Sequence, residues 1–179
     1  MSHKLSKEDK ALLKIFETRT HISIRGALRY DCGELLGRGL NRDVYVCKHN
    51  HNYVVKIQRT INFDNIIEWE IWGLLWHTDW YRRWFADCIT ITESGLILVQ
   101  KRVTHGIRKD YPKKVPKFFT DFKIQNYGWI GDQFVCCDYS NVLGMLTGFM
   151  TKDLRTAKWW ICDNKPPKRK KSITIQTEL

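Results

Sequence analysis

No CxxC pair occurs in the 179 residues, although there are six cysteines: Cys32, Cys47, Cys88, Cys136, Cys137 and Cys162. Zinc sites favour close-spaced ligand pairs, so the missing spacing argues against a structural zinc. His49 and His51 stand in a polar turn with no cysteine pair to complete one. The cysteines read instead as reduced thiols of a cytosolic protein, several of them packed as small hydrophobes. Long apolar runs are missing as well. Stretches such as 96–99 fall far short of the ~20 residues a membrane helix needs. The N-terminus, with Lys4, Lys7, Glu8, Asp9 and Lys10, has no apolar core of a signal peptide, so a cytoplasmic location without membrane contact is expected. No internal repeat is evident. Acids are scarce: 19 Asp and Glu against 30 Lys and Arg leave a net charge of +11.

Apolar and aromatic residues are plentiful, at 43% and 13%, which excludes a wholly disordered chain. The length suits one domain or one small two-lobed unit. The positive charge is concentrated. Residues 165–179 hold five basic side chains and one acid behind Pro166 and Pro167, and read as a solvated tail. A second basic stretch spans 101–123, with Lys101, Arg102, Arg108, Lys109, Lys113, Lys114, Lys117 and Lys123 against Asp110 and Asp121. A phosphate-bearing ligand, an acidic protein partner or nucleic acid would explain this distribution, and so would a solvated face.

Hydrophobic spacing gives a coarse layout. Ser6 followed by Asp9 reads as a capped N-terminal helix. Residues 30–57 alternate between glycine and polar-turn punctuation, as two or three antiparallel strands would. Asn62 or Asp64 can cap a helix running to about residue 76. Trp72, Trp76, Trp80 and Trp84 step by four residues, which stacks them on one helical face as a wall of the core; a base-stacking platform is the weaker alternative, because it would expose a large apolar area. Residues 89–92 with 96–103, and 127–130 with 133–137, read as hairpins. Residues 142–150 and 152–161 read as terminal helices.

Four pieces that carry chemistry occur in one order. In 36–44, Leu-Gly-Arg-Gly-Leu-Asn-Arg-Asp-Val, the pattern G-x-G-x-x-G-x-V is met at Gly37, Gly39 and Val44, with Arg42 at the third glycine position. Glycines between two strands let backbone N–H groups reach phosphate oxygens with no Cβ in the way, although a plain glycine-bearing hairpin would look the same. Lys56 follows in an apolar strand, where an ammonium needs an anion or a route to solvent. Glu68 and Glu70 on the next helix are the candidate anions, and Glu68 fits the regular face with Asn65 and Trp72. Last, residues 121–126 read D-x-K-x-x-N, and a hairpin after Asn126 ends at Asp138. An acid, a lysine, an amide and a second acid at a strand end are the side chains that phosphoryl transfer uses.

In this order the chain resembles protein kinases and kinase-like phosphotransferases, over roughly residues 35–140, and most resembles small bacteriophage-encoded kinase-like proteins. The resemblance implies an α+β fold: an antiparallel N-lobe sheet with one packed helix, and a truncated second lobe. The divisions would be an N-terminal helical extension (1–29), an N-lobe (30–103), a reduced C-lobe (104–164) and the basic tail (165–179). It implies ATP and Mg²⁺ as cofactors. Gly37, Gly39, Val44, Lys56, Glu68, Gln100 and Val103 would line the nucleotide site, Asp121 would be the catalytic base and Lys123 would contact the γ-phosphate. Asn126 and Asp138 would bind the metal. The departures are Arg42 for glycine, Thr120 before Asp121 where Arg is usual, Asp-Tyr-Ser at 138–140, and only about 17 residues between Val103 and Asp121. Three functions follow: a minimal ATP-dependent phosphotransferase, a pseudokinase-like module engaging a host protein in the host cytoplasm, or a basic nucleic-acid binder resting on charge alone.

Overall fold

Ser6 starts the first helix through a reciprocal cap. Its Oγ accepts from Asp9 N–H at 3.0 Å while its own N–H donates to Asp9 Oδ2 at 2.8 Å, fixing α1 over Lys7–Glu17. Ser23 caps a second short helix, α2 (Ile24–Tyr30). The computed structural model describes residues 5–75, 78–142 and 151–161. Among these no helix is long and apolar enough to cross a membrane.

Strands β1 (Cys32–Arg38), β2 (Arg42–Cys47), β3 (Tyr53–Gln58), β4 (Cys88–Ile91) and β5 (Ile97–Lys101) form one antiparallel sheet in the order β1-β2-β3-β5-β4. Val44, Lys56 and Leu98 lie opposite one another across it. Directly opposed residues share a face, so period two divides the sheet. Val55, Ile57, Ile97 and Val99 pack with Leu12 and Phe16 of α1 and Ala27 of α2. Leu98 points the other way, into a core with Ile71, Trp72 and Leu75 of α3 (Asp64–Leu75). Both faces of the sheet are therefore covered. The buried Asp9 ties α1 to the sheet by accepting from Tyr53 Oη at 2.7 Å.

Beyond β5 the described residues hold no long helix. Two small antiparallel pairs replace one: β6 (Lys114–Pro116) with β9 (Leu154–Thr156), and β7 (Tyr127–Ile130) with β8 (Gln133–Cys136). Aromatic rings fill the space between them. Phe119 is fully buried, with ring centroids 5.4 Å from Phe85, 4.8 Å from Phe118 and 5.3 Å from Tyr127. Trp159 packs edge-on against Tyr127 at 4.9 Å and Tyr111 at 5.1 Å, its indole N–H on Pro112 O.

Two expectations from the sequence are corrected. Residues 152–161 are not a helix; Leu154–Thr156 pair with Lys114–Pro116, and Trp160 bridges to Lys123. Long-range pairing and the burial of Trp159 outweigh local helical spacing there. The tryptophans do not form one helical stripe either. Helix α3 is described as far as Leu75, Thr78 is not helical, and Trp80 belongs to a separate single turn, α4 (Asp79–Arg82), with Trp84 beyond it. Trp72 and Trp84 still reach the same core. Trp76, residues 143–150 of the expected helix over 142–150, and the 165–179 tail lie outside the described residues.

Candidate functional site

Strand alternation places the first residues of the site. Lys56 opposes Val44, and Arg42, two residues earlier on β2, opposes Gln58, so Arg42, Val44, Lys56 and Gln58 share the face toward α3. On α3, Asn65 and Glu68 stand three residues apart on the face toward the sheet, and both are fully buried. Glu70 is exposed. Lys56 Nζ donates to Glu68 Oε2 at 2.7 Å and to Cys137 O at 2.5 Å. The lysine thus spans from the helix to the end of the β7–β8 hairpin.

Glu68 is a junction. Its Oε1 accepts from Arg42 Nη2 at 2.8 Å and from Tyr139 N–H at 3.0 Å. Burial alone would push this carboxyl up, but Arg42 and Lys56 outweigh it and hold its pKa at about 2. Arg42 is itself buried, and its Nη2 also donates to Asp138 Oδ1 at 2.7 Å while Nη1 donates to Asn65 Oδ1 at 3.3 Å. Burial works against the guanidinium charge; the two carboxylates reverse that and raise its pKa. Asn65 completes the frame by donating to Lys56 O at 3.2 Å and Leu96 O at 3.0 Å. Two cations and two carboxylates compensate one another, which is what makes burial of such groups affordable.

The β7–β8 hairpin brings Asn126 and Asp138 to one end. Asn126 O accepts from Cys137 N–H at 2.8 Å and Asp138 N–H at 3.4 Å. Asn126 Nδ2 donates to Asp121 Oδ2 at 2.9 Å, and Asp121 Oδ1 accepts from Lys123 N–H at 3.1 Å. The loop holding Asp121 is pinned by aromatic residues on both sides. Phe119 and Phe122 are buried, and Tyr127 Oη donates to Asp121 O at 2.8 Å.

Asn126 and Asp138 offer an amide and a carboxylate, atoms that suit a hard cation. Oδ1 of Asp138 already carries Arg42, however, and among the described residues no group of three or more His, Cys, Asp or Glu could hold a metal. The Asp138 side chain is 46% exposed. Desolvation raises its pKa, with Arg42 acting in the opposite direction.

The other expected residues are distributed around this cluster. The turn between β1 and β2 is held down from outside: Arg59 Nη2 donates to Gly39 O at 2.5 Å, and Asn41 Nδ2 to Asp64 Oδ2 at 2.9 Å. A Cβ at Gly39 would stand 3.3 Å from Arg42 O, whereas one at Gly37 would meet nothing within 4 Å. Gln100 is fully buried, its Nε2 3.6 Å from Cys88 Sγ, and does not join the charged cluster. Val103 packs against Gly128, where a Cβ would come within 2.9 Å of Val103 Cβ. Of the basic stretch 101–123, Lys101 pairs with Asp87 at 2.7 Å and Lys117 with Asp153 at 2.9 Å, so these two charges are answered within the chain. Arg42 and Asn65 are the members that the sequence motifs did not assign. The usable signal for Arg42 was its period-two relation to Val44; for Asn65 it was the i, i+3 relation to Glu68.

A scan against protein-family models finds no match, and a search of curated proteins finds none. Among solved structures, the chain is similar to a ternary complex of streptomycin, ATP and APH(2")-IIa, with a TM-score of 0.31 and 16% identity. That match covers 59% of this chain and 31% of the other, so the chain spans about a third of that protein's length.

Proposed function

We propose that this chain is a small kinase-like phosphotransferase that binds ATP between the β1–β2 turn and the end of the β7–β8 hairpin. The observation that carries the reading is the buried Lys56–Glu68 pair, whose lysine also reaches Cys137 O beside Asp138. Through one ammonium it joins a carboxylate on α3 to a backbone carbonyl at the end of the β7–β8 hairpin. Such a cation is held in place before any ligand arrives, so little reorganisation is needed to meet phosphate oxygens.

In this reading Val44 covers the base, and Lys56 and Lys123 face the phosphates. The acceptor hydroxyl oxygen attacks the terminal phosphorus, the bond from that phosphorus to its bridging oxygen breaks, and the nucleoside diphosphate leaves. Asp121 takes the hydroxyl proton. Its two hydrogen bonds, from Asn126 and from Lys123 N–H, fix the direction of its carboxylate. The resemblance would put Mg²⁺ on Asn126 and Asp138 to neutralise phosphate charge, but Arg42 already occupies Asp138 Oδ1 and leaves that pair a poor fit for a metal.

The test is thermal unfolding with ATP, with and without Mg²⁺, and phosphoryl transfer from labelled ATP. A ligand that binds only the folded state raises the midpoint by mass action. ATP should raise the midpoint of the parent, and Asp121→Asn should keep that rise while losing transfer. No rise at millimolar ATP would sink the reading. A second reading, binding without turnover, is favoured by one observation: the guanidinium of Arg42 stands on Asp138, where the resemblance puts a metal.

A further inference from the structure

We infer that Arg42 is the resident cation of Asp138 and competes with divalent metal for it, so that nucleotide binding here does not depend on Mg²⁺. The inference rests on the nucleotide reading above, and on geometry that the motif alone does not supply. A β2 residue at the position of a phosphate-loop glycine would be expected to leave open space. Instead its side chain runs inward and is only 7% exposed. One nitrogen, Nη2, bridges Glu68 Oε1 at 2.8 Å and Asp138 Oδ1 at 2.7 Å. The other, Nη1, is held by Asn65 Oδ1 at 3.3 Å. A planar guanidinium suits this, because its donors lie in a fixed fork that can serve several oxygens at once.

The consequence for a metal is direct. A divalent ion on Asp138 would share the carboxylate with a fixed positive charge at hydrogen-bond distance, in a site partly shielded from water. Either the ion binds weakly through the remaining oxygen, or Arg42 must leave Glu68 and Asn65 together. Leaving is costly because a buried guanidinium without partners is strongly disfavoured. The groups facing Arg42 are Lys56 on β3, Asp64, Asn65 and Glu68 on α3, and Asp138 after β8. Removing Arg42 takes one positive charge out of this set and leaves its carboxylates with more negative charge to offer an incoming cation.

The probe is Mn²⁺ alone, followed by titration calorimetry or electron paramagnetic resonance, on the parent, Arg42→Gly, Arg42→Gln and Arg42→Gly with Asp138→Asn. Arg42→Gly should bind Mn²⁺ about tenfold tighter than the parent or better, and the added Asp138→Asn should remove that gain. Arg42→Gln keeps hydrogen-bonding groups while losing the charge, and serves if the glycine variant does not fold; it should show a gain of the same sign. Equal Mn²⁺ affinity in the parent and in a folded Arg42 variant overturns the inference. In a second arm, ATP affinity of the parent should be the same in EDTA as in Mg²⁺, and Arg42→Gly should become Mg²⁺-dependent. A parent whose ATP affinity rises tenfold with Mg²⁺ also overturns it. If no variant binds ATP under any condition, the nucleotide reading fails, while the Mn²⁺ arm still decides the role of Arg42.

Discussion

Glu68→Gln removes the charge at the junction of the site while keeping its size. Glu68 is fully buried and accepts from Arg42, Lys56 and Tyr139 N–H. Its pKa of about 2 lies below the model-compound value of 4.5. At about 1.4 kcal/mol per unit, that lowering corresponds to about 3 kcal/mol of stability at neutral pH. The figure agrees with the ~3–5 kcal/mol expected when one partner of a buried ion pair is removed. The sign follows from linkage. A carboxylate with a depressed folded pKa stabilises above its unfolded pKa, and the contribution fades as pH falls from about 4.5 toward 2. By pH 3 about 1 kcal/mol should remain. Urea denaturation followed by tryptophan fluorescence, at pH 7 and pH 3, measures both values. Glu70→Gln, at an exposed position on the same helix, should stay within ~0.5 kcal/mol of the parent. Glu68→Gln combined with Lys56→Met should recover part of the loss, because the lysine is no longer left uncompensated. A Glu68→Gln cost under ~0.5 kcal/mol at pH 7, or a cost that does not shrink by pH 3, would refute the reasoning.

Tyr53→Phe deletes the hydroxyl that donates to buried Asp9 at 2.7 Å, and should cost about 1–3 kcal/mol in denaturant titration, with α1 loosened as seen by amide exchange. Gly95→Ala places a Cβ at φ 71° and 2.4 Å from Ile66 Cγ1, so it should lower the thermal midpoint, by about 1 kcal/mol or more of stability. Phe119→Ala should cost about 3–5 kcal/mol in the same titration and speed amide exchange through 120–126, since its ring sits among Phe85, Phe118 and Tyr127.

Much of the sheet was legible because its signals are local. Alternation around Lys56, the turn at 50–52 and the glycine between β4 and β5 each mark a strand end without reference to the rest of the chain. The choice of Glu68 over Glu70 was also readable, since 65, 68 and 72 lie on one helical face and all three are buried. What the spacing could not reveal was pairing at a distance. Nothing near 154–156 announces that its partner is 114–116. The partners of Arg42 stand 23, 26 and 96 residues away, so its role is absent from any local pattern. Within the G-x-G-x-x-G-x-V pattern Arg42 is only a missing glycine. The folded chain makes it a member of the site, because period two turns that position inward whenever Val44 faces inward.

The aromatic content bears on the same question from another side. The role proposed for Asp121 needs a rigid base, and the resemblance implies a long helix for that purpose where only about 17 residues are available. In the described residues the support comes from rings instead. Phe119 and Phe122 flank the Asp121 segment, Tyr127 binds its backbone, and Trp159 closes over Phe122 at 5.5 Å and Tyr127 at 4.9 Å. Each ring buries a large area for few rotatable bonds, so a short segment can be fixed by four or five of them. Edge-to-face contacts add direction to that burial, because they favour a limited set of ring orientations. The arrangement explains why aromatic residues cluster at 118–134 beside D-x-K-x-x-N. They surround the segment that carries Asp121 and Asn126, and Tyr139, through its N–H on Glu68, ties that base back to α3. An Asp121 held in this way keeps its orientation only as long as the rings stay packed. Loss of one ring should therefore reach the acid through the loop backbone before it reaches Lys56 or Glu68.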